Sequence, residues 1–488
     1  MQTNQVHVNK VEGSRYPNKI DCFNPSICYP EYRFTNEISK SDNMVYDMIR
    51  ECLYHMGFDK EHFGANDWNP LKELIKPGDV VLLKPNMVLH ENEITENGIE
   101  CLITHPSLVR ALLDYVVLAL DGTGAIIVGD APLQTCNFKK LVSEQGYIDI
   151  IDFYKRKGIQ IELVDFRNYK SIYKDGLHQK IQNDSDNTAI VVDLEKKSEF
   201  LTIEKDRFNL LRITNYDHSI MYEHHNCKKN EYSIAKKVLE ADVIINIPKP
   251  KTHRKAGVTI SLKNLVGINT NKEWLPHHSQ GSTQEGGDEY YRKSFLKKLI
   301  THFTEYKDNC LGRDMRKKAK VYYNVVRGLS MLNKIFSKDI YSEGSWYGND
   351  TIWRTLLDLN KILFYSDKQG NMKDTKQRKM LIVADMIISG EGEGPLLPTP
   401  KDVGIIAMGM NPVCFDEAIS SVMGFKPSLI PSIHNARNIK YYAFADQNET
   451  IITSNNPIYD LKTPNGVYYK DSLQFKPSRG WKAHFHQS

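Results

Sequence analysis

The sequence predicts an α/β protein: mostly parallel sheets flanked by helices in two domains, with a helical insertion. Short apolar runs bounded by turn residues recur as VVLLKP (80–85), GAIIVGDAP (124–132), IQIELVDF (159–166), ADVIINIP (241–248) and KMLIVADMIIS (379–389). Segments with helical spacing of apolar residues separate several of them. That alternation is the pattern of a parallel sheet with helices on its faces.

Residues 1–40, rich in Asn, Pro and Tyr and weakly periodic, read as an N-terminal arm. NMVYDMIRECLYHMG (43–57) is an amphipathic helix stopped by Gly57, and Pro77-Gly78 turns the chain into the first strand. Pro106 to Leu120 forms a helix, with proline in the first turn where it is tolerated. Another helix is predicted around 138–157. AIVVDLE and FLTIE alternate like antiparallel strands, and a helix is expected at 231–240 before ADVIINIP. From about 273 to 375 an inserted helical stretch includes the basic segments KSFLKKLITHF and RDMRKKAKVYYNVVRGLSMLNKIFSK. The basic runs fit a solvated face, or contact with an acidic surface, a membrane leaflet or a polyphosphorylated ligand. VGIIAMG (403–409) is a late strand and FDEAISSVMGF (415–425) a short helix. The expected units are the arm, an α/β domain over 41–230 with a β-rich connection, a second α/β domain over 231–440 carrying the insertion, and a C-terminal tail over 441–488.

Among 488 residues, 41% are hydrophobic and 25% charged, and the formal charge is +4. That near balance gives no argument for a nucleic-acid partner, and none is expected. The eight cysteines contain no CxxC pair, which argues against zinc ribbons and iron–sulfur clusters. No apolar stretch opens the chain and no apolar run reaches 18 residues, so the expectation is a cytoplasmic protein with no signal peptide or membrane span.

Open parallel sheets place ligands beyond the carboxyl ends of their strands. Charged groups stand there repeatedly: Lys84 with Asn86, Asp130, Lys249 with Lys251 and His253, and Glu391 with Glu393. PKPKTHRKAGVTISLKNLVGI (248–268) is the densest segment, with Lys249, Lys251, His253, Arg254, Lys255 and Lys263 around an apolar turn. Such cations hold carboxylates or phosphates by charge-assisted hydrogen bonds. The surrounding positive charge is expected to keep His253 neutral, as base, metal ligand or hydrogen-bond donor. Lys263 sits in an apolar stretch. It reads either as a desolvated base or nucleophile, or as a lysine whose stem covers the core. GEGEGP offers two carboxylates among glycines, and His277-His278 follows on a loop. Asp130, Glu391, Glu393, His277 and His278 are therefore the residues considered for a divalent metal.

LLKPNMV, GAIIVGDAP, ADVIINIPKPKTHRKAGVTISLKNLVG, VADMIISGEGEGP and NPVCFDEAISSVMG resemble, in that order, the DUF362 family. The resemblance spans residues 80 to 425 apart from the insertion. Some relatives carry an iron–sulfur domain, whose cysteines this chain lacks. GSWYGNDTIWRTLLDLNKIL (344–363) is similar to a form of the family associated with cell-surface polysaccharide or natural-product genes. A more distant likeness is to the nickel-pincer lactate racemases, in the order ADVIINIPKPKTH, AGVTISLK, LPHH. It implies roles for His253, Lys263 and His277 or His278 in proton transfer or cofactor anchoring. VTISLKN stands where that family has a glycine pair, so the nickel cofactor is not carried over.

The expectation is an enzyme acting on an anionic carboxylate or phosphate molecule, isomerase- or transferase-like, in polysaccharide or secondary-metabolite biosynthesis. Lys263 and His253 would be catalytic, and Lys84, Asn86, Lys249, Lys251 and Asn264 would bind substrate. The alternative is a ligand-binding or scaffold protein whose basic helices dock a partner or a membrane surface.

Overall fold

The computed structural model describes residues 2–174, 177–185, 188–214, 218–312, 315–336, 339 and 341–485. The apolar runs become strands of one sheet. In chain order they are β1 (Gln5–Lys10), β2 (Val80–Pro85), β3 (Ala125–Asp130), β4 (Ile161–Asp165), β5 (Val243–Ile247), β6 (Lys251–His253), β7 (Gly257–Thr259), β8 (Lys379–Glu393), β9 (Leu397–Gly409) and β10 (Ile451–Ser454). Across the sheet the order is β10-β1-β9-β8-β5-β2-β3-β4, with β6 joining β8 and β7 off that path. β8, β5, β2, β3 and β4 are mutually parallel, and β9 returns antiparallel between β8 and β1.

Side chains alternate across these strands. Leu82, Ile127, Ile244 and Ile382 enter one core, and Val81, Leu83, Ile126, Val128, Val243, Ile245 and Leu381 the other. A sheet covered on both faces needs apolar residues at consecutive positions, which is why these strands read as unbroken runs.

The longer helices and one short turn are α1 (Met44–His55), α2 (Pro106–Leu120), α3 (Phe138–Glu144), α4 (Tyr147–Arg156), the one-turn α5 (Ser261–Asn264), α6 (Phe295–Gly312), α7 (Arg316–Phe336), α8 (Ile352–Tyr365) and α9 (Pro412–Met423). Their starts follow from capping chemistry. Asn43 accepts from the Tyr46 N–H, and Asn411 from those of Val413 and Cys414, with Pro412 in the first turn.

Several expectations are corrected. Residues 5–10 are no loose arm: Val6 and Val8 are fully buried and β1 pairs with β9 and β10. Two valines give too short an alternation to signal a strand. The helix expected at 138–157 is two helices, parted where Gly146 takes φ +89°. Glu231–Ala235 is a strand pairing antiparallel with Ala189–Asp193, as AIVVDLE predicts, and the helix begins at Lys236. FLTIE holds a short 3-10 turn, Glu199–Thr202, rather than a strand. Most of GEGEGP is strand, because β8 continues through Glu393. Strands from 41–230 and 231–440 lie side by side, β5 against β2, so the sheet is shared between the two expected domains. Within the expected insertion, α8 is buried along all 14 residues and belongs to the core. The α6–α7 hairpin is the part that stands outward.

Candidate functional site

The carboxyl ends of β2, β3 and β5 meet in a buried polar network. The Lys84 ammonium donates to Asp130 Oδ1 at 2.8 Å and to Asn264 Oδ1 at 3.3 Å. Asp130 also accepts from the backbone N–H groups of Met87 (2.7 Å) and Ala131 (2.9 Å). Asn264 donates to Asn246 Oδ1 at 2.7 Å and accepts from Asn86 at 2.8 Å. Asn86 in turn accepts from Lys251 Nζ at 2.6 Å, and Lys251 also donates to the Leu102 carbonyl at 2.7 Å. Beside them, Lys249 pairs with Asp385 at 2.8 Å and donates to the Tyr16 hydroxyl at 2.7 Å. Only glycine fits at 267, where a Cβ would stand 1.8 Å from Asp130 Oδ1.

The structure thus brings Lys84, Asn86, Asp130, Lys249, Lys251 and Asn264 together at one end of the sheet. Their hydrogen bonds are made mainly to one another and to nearby backbone, as burial demands. Burial pulls the lysines below their usual pKa range, against the opposing carboxylate for Lys84 and Lys249. For Lys251 the neighbouring Lys249 cation adds to that fall. These groups form a brace that ties three strand ends and α5 into one unit.

A second layer lies around α5. Asp416 on α9 caps its start, accepting from the N–H groups of Ser261 (2.8 Å) and Leu262 (3.2 Å) and from the Ser261 hydroxyl. The turn so fixed presents Lys263, which is half-buried. Among the described residues the Lys263 ammonium has no hydrogen-bond or ion-pair partner. Burial, then the Lys84 cation, lower its pKa to about 8. Two further buried lysines stand near: Lys272 donates to the Ala131 carbonyl at 2.7 Å and Lys255 to the Thr214 hydroxyl at 2.8 Å. Burial brings each down to about 7.

The histidines divide by tautomer. His253 Nδ1 accepts the backbone N–H groups of Lys255 (3.0 Å) and Ala256 (3.1 Å). Its proton therefore sits on Nε2, making His253 a hydrogen-bond donor rather than a base. His277 is the reverse: Nδ1–H donates to the Leu275 carbonyl at 2.7 Å, which leaves the Nε2 lone pair free. Burial holds both pKa values well below the usual histidine value, and Lys263 lowers both further. His278 lies 3.4 Å from Lys255 Nζ, and burial followed by that cation holds its pKa well below the usual histidine value.

The residues considered for a divalent metal do not gather into one cluster among the described residues. Asp130 is engaged with Lys84. Glu391 and Glu393 turn to the C-terminal tail, accepting from the N–H groups of Lys476 (3.0 Å) and Arg479 (2.6 Å). His277 and His278 stand among lysines that repel a cation. Among the described residues no group of three or more His, Cys, Asp or Glu side chains is placed to hold a metal ion.

Sequence reasoning passed over Asn246, Asp385, Lys272, Asp416 and the tail. Asn246 and Asp385 had a signal, each being a polar residue inside an apolar strand. Trp481 had none: its indole N–H donates to the Arg254 carbonyl at 2.9 Å, and its ring packs over Gly257, fastening the β6–β7 turn that carries His253 and Lys255.

Fold and site together define an open α/β protein with a cation-rich carboxyl edge. The chain belongs to the DUF362 family, described as a domain of unknown function, whose model matches residues 81–196 and 196–421. A thylakoid-associated protein of Synechocystis sp. is 26% identical over 193 residues, and the match spans 40% of this chain and 40% of that protein. A crystal structure of a Thermotoga maritima protein aligns at a TM-score of 0.29 with 11% identity, covering 74% of this chain and 54% of the other. That likeness is too slight to carry an argument. The racemase likeness gains no support from these matches. Among the described residues no helix is long and apolar enough to cross a membrane.

Proposed function

We propose that this protein is an enzyme acting on an anionic small molecule, a carboxylate or phosphate, held by the Lys263 ammonium. The observation that carries this reading is the state of Lys263. It is a half-buried cation whose ammonium has no partner among the described residues, in a fold where the neighbouring Lys84, Lys249 and Lys251 are all bonded. Desolvating a cation without a counter-charge is unfavourable, and a bound anion would supply that charge. His253 Nε2–H adds a neutral donor. His277 Nε2 adds a neutral acceptor, and an anion beside it would raise its proton affinity. One proton could then leave the substrate for His277 Nε2 and return at another atom, an isomerase-like step with no net redox change.

Calorimetric titration with inorganic phosphate and with acetate tests this. The intact protein should bind one of them, more weakly as pH rises through about 8, where Lys263 gives up its proton. Lys263→Met should weaken binding by at least about tenfold, an order expected for one charge-assisted hydrogen bond, with the circular dichroism spectrum unchanged. Equal affinity in wild type and variant would overturn the assignment. Binding without turnover of any carboxylate or phosphate ester would leave the ligand-binding alternative.

A further inference from the structure

The α6–α7 hairpin carries a surface that the strand-end site does not use. One face of α7 packs on α6 through residues such as Ala319, which is fully buried. On another face Val321, Val325, Leu332 and Ile335 follow each other at helical spacing, and all are exposed. Val321 is 61% exposed, Ile335 74% and Phe336 73%. Such an apolar stripe is unusual on a surface left to water. Along its flank Lys320, Arg327 and Lys334 recur at every seventh residue, with Lys317 and Lys318 at the helix start. α7 contains no acidic residue. Among the described residues these five cations form no ion pair.

We propose that α7 docks this protein on an anionic lipid surface. The apolar stripe enters the headgroup boundary and the flanking row of cations meets the lipid phosphates. Charge decides against other occupants. A second copy laid on the same face would set basic row against basic row. Nucleic acid would satisfy the cations and leave the stripe in water. A negatively charged bilayer satisfies both. The helix would lie in the plane of the surface, which agrees with its polar flank.

The full chain should co-sediment with phosphatidylcholine vesicles containing phosphatidylglycerol, and not with phosphatidylcholine alone. Raised salt should release it. The variant K320E/R327E/K334E should partition at least about a hundredfold more weakly, since each basic residue near such a surface adds about fivefold and the glutamates add repulsion. Val321→Ser with Ile335→Ser should weaken binding at unchanged charge. These side chains are exposed, so the unfolding temperature should not move. Sedimentation insensitive to lipid charge, or unchanged in both variants, would overturn the proposal. So would a concentration-dependent dimer in solution that the charge-reversed variant disperses.

Discussion

At the scale of single residues, the site turns on which charges have partners. Lys84 and Asp130 are a buried pair whose separation would leave a charge without compensation, a loss of about 3–5 kcal/mol. Asp416 behaves differently. Burial raises its pKa to about 7, although three hydrogen bonds from residues 261 and 262 favour the charged form. In the unfolded chain an aspartate titrates near about 3.9. Between those values the folded protein holds the extra proton, so stability falls as pH rises from about 4 to about 7 and levels above that. Urea unfolding across this window should show the decline, and Asp416→Asn should remove this residue's share of it. An unchanged slope in the variant would show that Asp416 does not titrate there.

At the scale of elements, the part of the tail between Lys476 and Trp481 straps β8 and the β6–β7 turn. The Gly392 N–H donates to the Lys476 carbonyl at 2.9 Å, and Glu391 and Glu393 hold the N–H groups of Lys476 and Arg479. Trp481 closes the strap on the Arg254 carbonyl. Trp481→Ala should cost about 3–5 kcal/mol, the range for removing a buried tryptophan, read as a lower urea midpoint. It should also loosen the 253–257 turn, seen as faster hydrogen exchange at the Lys255 and Ala256 amides that now bond His253. Full protection at those amides would show that the turn holds itself.

At the scale of the molecule, one sheet joins segments far apart in the chain. β1 and β10 close one edge, β4 the other, and β5 stands between β8 and β2. The two stretches expected as domains share a continuous hydrogen-bonded ladder where β5 pairs with β2. Thermal unfolding should therefore give one cooperative transition for the sheet, with calorimetric and van't Hoff enthalpies in agreement. Two separated transitions dividing near residue 230 would restore the two-domain expectation.

The sequence by itself determined the buried strands, several helix starts and the family. Each of these is local: an apolar run of five or six residues, a capping Asn or a proline in a first turn, and motifs such as PKPKTH that sit within one segment. It also located the cationic segment 248–268, because charge density needs no third dimension. Only the tertiary structure decided that β1 and the tail belong to the sheet and the site, since Val6, Val8 and Trp481 reveal themselves through distant partners. It alone decided which cations are engaged and which is not. Lys84, Lys251 and Lys263 look alike in the chain, and their difference lies in desolvation and in the acceptors that folding sets beside each ammonium.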